Sequence, residues 1–173
     1  RHEALRTTFA AREGKPVQVI AGSRRLDLPV IDLSSLPAEE REDQALVLAR
    51  EEAVRPFDLA RGPLLRLSLV RLDEAQHLLL LTLHHIVADG WSMGVLLPEI
   101  AAPHAAFAQG RPSPLPELPV QYADFAVWQR EWLQGEVLEA QLAFWKDRLA
   151  GAPRRLELPT DRPRPMGQTF RGA

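Results

Sequence analysis

Cysteine is missing altogether from the 173 residues. That excludes a disulfide framework, thiolate metal sites and a thiol nucleophile, and it fits a reducing compartment. No apolar stretch nears the roughly 20 residues that cross a bilayer, and no secretory leader opens the sequence. Neither sign of charge dominates: 21 basic and 23 acidic residues leave a net charge of −2, with no basic stripe and no acidic block. Nucleic acid and membrane are therefore not expected partners. Lysine is nearly absent, Lys15 and Lys146 standing among many arginines, which hints at a GC-rich bacterial genome. The expected location is the bacterial cytoplasm. An initial Met is also lacking, and "RHEALRTTF" reads like the middle of a longer polypeptide.

What is present suffices for one domain of ordinary size, since 46% of the residues are hydrophobic. Residues 1–7 read as the last turns of a helix, and "TTFAAR" and "PVQVI" flank a hairpin turn. "DLPVIDL" is a short extended piece. Ser34 and Ser35 offer caps for a helix over about 38–55, with Leu46, Ala49, Ala53 and Val54 as its apolar stripe. "GPLLRLSLVRL" alternates, Leu65, Leu67 and Leu69 facing one way and Arg66 and Ser68 the other, which predicts a half-buried strand. "DEAQ" turns the chain. "HLLLLTLHH" follows without alternation, which predicts a central strand covered on both faces. Ser92 can cap a helix to about Gln109, and the proline-rich "GRPSPLPELP" ends it. Two amphipathic helices follow, broken near Gly135. Tyr122, Phe125, Trp128 and Trp132, at helical spacing on the first, are expected in the core. Residues 153–173 read as a crossover arm that needs something to pack against. The fold class is α/β or an α+β sandwich, a mixed sheet covered by helices.

The most unusual line is "LTLHHIVADGWS", residues 81–92. An apolar strand delivers two adjacent histidines, and neighbours in a strand point to opposite faces. One of His84 and His85 therefore enters the packed side and the other a cavity. Strand ends that lead into helix starts are where sites form in layered folds. Gly90 permits a backbone conformation closed to other residues, or the close approach of a ligand. Asp89, if buried, needs a partner, and an arginine is expected. The plainer reading is a hydrogen-bonded core histidine followed by an ordinary Asp-Gly turn. A metal site is not expected, because His2, His77 and His104 are scattered and supply no third ligand at the right spacing.

"HHIVADG" resembles the HHxxxDG motif of the condensation domains of nonribosomal peptide synthetases. The shorter HxxxDG is shared with chloramphenicol acetyltransferase and plant acyltransferases. "RHEALRTTF" resembles the same family's RHxxLRTxF motif and "YADFAVW" its YxDFAVW motif, while "RPFDLARGPLLR" and "LPTDRPRP" are similar to the stretches around them. Three motifs in the family's order make the resemblance specific, and it covers essentially the whole chain. The family's first motif and all motifs of its second half are missing. Residues 1–173 are thus expected to be an incomplete N-terminal lobe, of the chloramphenicol acetyltransferase-like fold, from a two-lobed domain whose active site lies between the lobes.

The resemblance implies acyl transfer to nitrogen. The α-amine of an acceptor aminoacyl thioester attacks the thioester of a donor, both tethered by phosphopantetheine to peptidyl carrier domains. No cofactor would be bound by the domain itself. The implied partners are the two carriers, the C-terminal lobe and a neighbouring adenylation domain. His85 would face the reacting groups, with Gly90 lining the cleft and offering its backbone N–H. His84 and Asp89 would be supports, Asp89 paired with Arg1 or Arg6. The fragment alone is expected to be inactive. Alternatives are an epimerization or ester-forming sister domain, or a non-catalytic module that docks carriers.

Overall fold

The computed structural model describes residues 1–23, 25–153, 158, 159, 161 and 167. It divides into two compact units, residues 1–129 and 130–173. The first opens with a 3-10 helix, Glu3–Arg6, and a hairpin of β1 (Thr7–Arg12) and β2 (Lys15–Ile20) paired antiparallel. Its two turn residues, Glu13 and Gly14, have φ of 51° and 73°. That is the doubly left-handed turn whose twist suits a two-residue hairpin.

Next come β3 (Val30–Asp32), α1 (Ala38–Val54), β4 (Leu65–Arg71) and β5 (His77–Leu83). β3 runs parallel to β4, with α1 as the crossover between them, and β4 pairs antiparallel with β5. Asp73 closes the β4–β5 turn by accepting from the amides of Ala75 and Gln76, both at 2.8 Å. The sheet order is β3-β4-β5. The sequence predicted a central β5, but β4 holds the centre and β5 an edge, with Leu78 and Leu79 39% and 41% exposed. The unalternating leucine run asks for cover on both faces, and here residues 80–83 are half-buried while 77–79 are exposed.

The core of the unit is Leu33, Ala45 and Val70, with Ile31, Leu36, Leu48, Leu72 and Leu80 packed around them. Full burial of a side chain such as Val70 contributes about 1.5–3 kcal/mol. Val70 and Leu72 put the α1-facing side of β4 on the even positions, the face that also carries Arg66 and Ser68. Two expectations need correction here. The α1 stripe runs through Arg41, Ala45, Leu48, Ala49 and Glu52, while Leu46 and Val54 are exposed. Arg41 can lie inward because its guanidinium donates to the Leu36 and Ser34 carbonyls, each at 2.9 Å. The cap of α1 is Pro37, without a side-chain bond, and Ser34 bonds the Asp32 carboxylate instead.

α2 (Gly90–Phe107) follows the histidine turn, and α3 (Tyr122–Trp132) crosses the boundary between the units. On α3, Tyr122, Phe125, Trp128 and Trp132 are 40–60% exposed, against the expected core role. Tyr122 and Phe125 stack at 6.0 Å, and Phe125 and Trp128 at 5.6 Å. The second unit holds α4 (Gly135–Arg148), where Phe144 meets Trp145 edge-on at 5.3 Å. Most of the expected arm at 153–173 lies outside the described residues. No helix among the described residues is long and apolar enough to cross a membrane. The architecture is α+β.

Candidate active site

β5 ends at Leu83, and the next residues turn at once, with the Val87 amide donating to the His84 carbonyl at 3.0 Å. The His84 amide is still tied to the sheet through the Leu64 carbonyl, also at 3.0 Å. The His84 ring is half-buried. Its Nδ1 accepts the Ile86 amide at 3.0 Å, which puts the proton of a neutral ring on Nε2. Phe57 meets the ring edge-on, centroids 5.7 Å apart at 89°. His84 is therefore engaged on both sides.

His85 is exposed and lines an open cavity of about 470 Å³, together with Glu52 of α1, Leu81 and Leu83 of β5, Asp89 and Met93. A neutral imidazole there can accept a proton or a hydrogen bond from a ligand in the cavity. The N-terminus of α2 lies beside it, where the first-turn N–H groups have no partner within the helix backbone.

Asp89 is the N-cap of α2. Its carboxylate accepts the Ser92 amide at 2.8 Å and the Ser92 hydroxyl at 2.6 Å, and the Ser92 hydroxyl accepts the Asp89 amide at 3.1 Å. This reciprocal capping box places Ser92 inside the first turn rather than at the cap. The Ser92 hydroxyl first, then its amide, holds the Asp89 carboxyl below the usual range, with a smaller contribution from nearby His85. The expected Asp89–arginine pair is absent among the described residues. Arg1 pairs with Glu99 at 3.0 Å, and Arg6 with Glu3 at 2.9 Å and with the Ala21 carbonyl. An exposed carboxylate already held by the first turn through its Oδ1 does not require a cation. Gly90 departs from one expectation as well. Its φ lies outside the left-handed region and a Cβ would meet nothing within 4 Å, so neither the backbone nor the space around it requires a glycine.

Sequence reasoning missed two clusters. In the first, the Arg66 guanidinium donates to the Glu52 carboxylate, to the Arg55 carbonyl at 2.8 Å, and to the Glu52 and Pro56 carbonyls, each at 3.2 Å. It also lies 3.7 Å from the centroid of the Phe57 ring. The side chains of Arg66 and Glu52 are 11% and 15% exposed. Only a lone arginine within a leucine-rich strand could have signalled this. In the second, His2 meets Glu99 at 2.5 Å beside Arg1, along a separate cavity of about 930 Å³. His2, then Arg1, hold the Glu99 carboxyl below its usual range. Gln121 completes the cluster, accepting the Glu3 amide and donating to the Arg1 carbonyl, both at 3.1 Å. Among the described residues no group of His, Asp or Glu could hold a metal ion.

The chain has relatives among known proteins. The family model described as Condensation domain matches residues 1–173. One polypeptide of the linear gramicidin synthase of Brevibacillus parabrevis is 55% identical over 172 residues, which cover 99% of this chain and 3% of that protein. The crystal structure of the X-domain from teicoplanin biosynthesis superposes with a TM-score of 0.81 at 35% identity, covering 95% of this chain and 36% of that one. The epimerization domain from the third module of tyrocidine synthetase B superposes at 0.77 with 25% identity, over 92% of this chain and 36% of that one. The chain thus spans a small part of the relatives it matches.

Proposed function

This chain belongs to the condensation-domain family, and we propose that it is the histidine-bearing part of one lobe of such a domain, working in amide bond formation on carrier-bound thioesters. The acceptor α-amine attacks the donor thioester carbonyl. A C–N bond forms, the C–S bond breaks, the amine loses a proton and the pantetheine sulfur leaves as thiol. Phosphopantetheine belongs to the two carrier domains, and the remainder of the parent polypeptide supplies the far wall of the cleft. The observation that carries this reading is the placement of His85, exposed at the lip of a cavity between a strand end and a helix N-terminus.

The role of the imidazole follows from magnitudes. An α-amino group titrates near 7.7–8.0, so roughly a tenth of it is free at neutral pH. Deprotonating the rest removes a factor of about ten. Orienting the amine and taking the proton from the tetrahedral adduct can contribute far more, since general acid–base catalysis alone is worth about 10²–10⁴-fold. His85 therefore serves as orienter and proton acceptor, and Gly90 leaves space for substrate against the helix N-terminus.

The test is the pH profile of His85→Ala in the parent polypeptide with both carriers loaded. A loss of about 10²-fold or more that persists above pH 9 is expected. A loss that vanishes at high pH would reduce His85 to a simple base. Carrier binding without turnover by the wild-type parent would replace the reaction with a docking role. A second reading, epimerization, is favoured by the likeness to the tyrocidine epimerization domain. Chiral analysis of carrier-released product distinguishes it, because epimerization inverts the donor residue without lengthening the chain.

A further inference from the structure

Arg66 is an unusual residue for a central strand, with its side chain only 11% exposed. Its four hydrogen bonds all go to one short segment, the last turn of α1 and the residues after it. Carbonyls at a helix C-terminus are orphan acceptors at the negative end of the dipole, so a nearly buried guanidinium is matched there in both charge and geometry. This fixes residues 52–57 against β4. It leaves the flat face of the guanidinium for Phe57, at 3.7 Å. Phe57 thus touches both Arg66 and the His84 ring, the latter at a right angle with centroids 5.7 Å apart. His84 passes the constraint on, because its Nδ1 holds the Ile86 amide and its backbone amide is held by Leu64. His85 is the residue between those two anchored positions.

We infer that Arg66 and Phe57 are positioning residues for His85, acting through the His84 ring on the turn at 84–87. The inference rests on the proposed reaction, in which His85 touches the reacting groups. Glu52 belongs to the same device. It pairs with Arg66 and with Arg55 at 3.3 Å, and it also lines the cavity of His85. A plain helix staple would need Arg66 and the carbonyls but not the ring that bridges to His84. Displacement of a reacting group by about an ångström costs on the order of 10²-fold in rate, so a small relaxation of this turn is measurable.

The experiment is a double-variant cycle in the parent polypeptide, with condensation followed on loaded carriers and kcat and KM measured separately. Phe57→Leu keeps an apolar side chain but removes both ring contacts. It should lower kcat about 10- to 100-fold with KM for the acceptor carrier unchanged. Introduced into His85→Ala, it should lower kcat no further, because residues that act as a unit are not additive. Arg66→Lys should behave alike, since lysine keeps the charge but can neither reach four acceptors nor stack on the ring. An equal fall in both backgrounds, or no fall in either, would overturn the inference. So would the failure of both variants to fold, which would make the pair purely structural. His85→Ala at the wild-type rate would instead sink the proposed reaction, and that single variant separates the two failures.

Discussion

At the scale of the residue, two glycines next to prominent sequence features have opposite reasons to exist. Gly62 sits at φ +60°, and a Cβ there would come within 2.8 Å of the Thr8 methyl. Gly62→Ala should therefore destabilise the fold by about 1–2 kcal/mol from the left-handed backbone alone, with the clash added. Gly90 has open space around it and an ordinary backbone, at the first position of a helix. Gly90→Ala should leave Tm unchanged or slightly raised, because alanine loses less backbone entropy. A fall in condensation rate at intact Tm is the expected outcome, and thermal melts beside turnover assays check both variants. A Gly90→Ala protein that unfolds early would mean the glycine serves the fold and not the substrate.

At the scale of the element, α2 is the piece on which the site turns. Its cap is an exposed carboxylate satisfied by Ser92, not half of a buried ion pair, and the expected effects of substitution change accordingly. Asn also accepts from the first turn, so Asp89→Asn should fold with Tm close to wild type, while Asp89→Ala should lose a few degrees. The acid limb gives a sharper signature. The Asp89 carboxyl is held below its ordinary value by Ser92, so its contribution is complete above the unfolded pKa near 3.9 and is lost as pH falls through the lower folded value. Asp89→Asn should therefore lose less stability than wild type below about pH 4, as measured by denaturant titration at each pH. Elements of this kind were legible in the sequence wherever their signals were local. The β1–β2 hairpin, the turn at Asp73, the helix after the histidines and the break at Gly135 all follow from contiguous residues. The α1 stripe, the inward face of β4 and the edge position of β5 were not legible, because each depends on which neighbour covers which face. The same division runs through the site. His84, His85, Asp89 and Gly90 stand within seven positions and announce themselves, whereas Arg66 finds Glu52 fourteen residues upstream only through the packing of α1 on the sheet.

At the scale of the whole molecule, the described residues bury fewer apolar side chains than the composition allows. Among the described residues Leu33, Ala45, Leu64, Leu65, Val70 and Ala106 are the buried apolar side chains, and Thr7 the buried polar one. Against them stand exposed Leu78 and Leu79 on the edge strand and Trp91, Val95, Leu97, Ile100 and Phe107 along α2. A helix apolar nearly all round belongs inside a larger body, and exposed apolar patches of this extent mark a contact surface. Trp91, 85% exposed, makes the point testable. In the 173-residue chain Trp91→Gln touches little and should change stability by no more than about 0.5 kcal/mol. In the parent polypeptide the same ring should be covered by the rest of the domain, and Trp91→Gln should cost several kcal/mol, on the order of the 3–5 kcal/mol of a core aromatic truncation. Paired denaturation curves of chain and parent, each with and without the substitution, measure the difference directly. Equal, small effects in both would mean that the α2 surface faces solvent in the parent too.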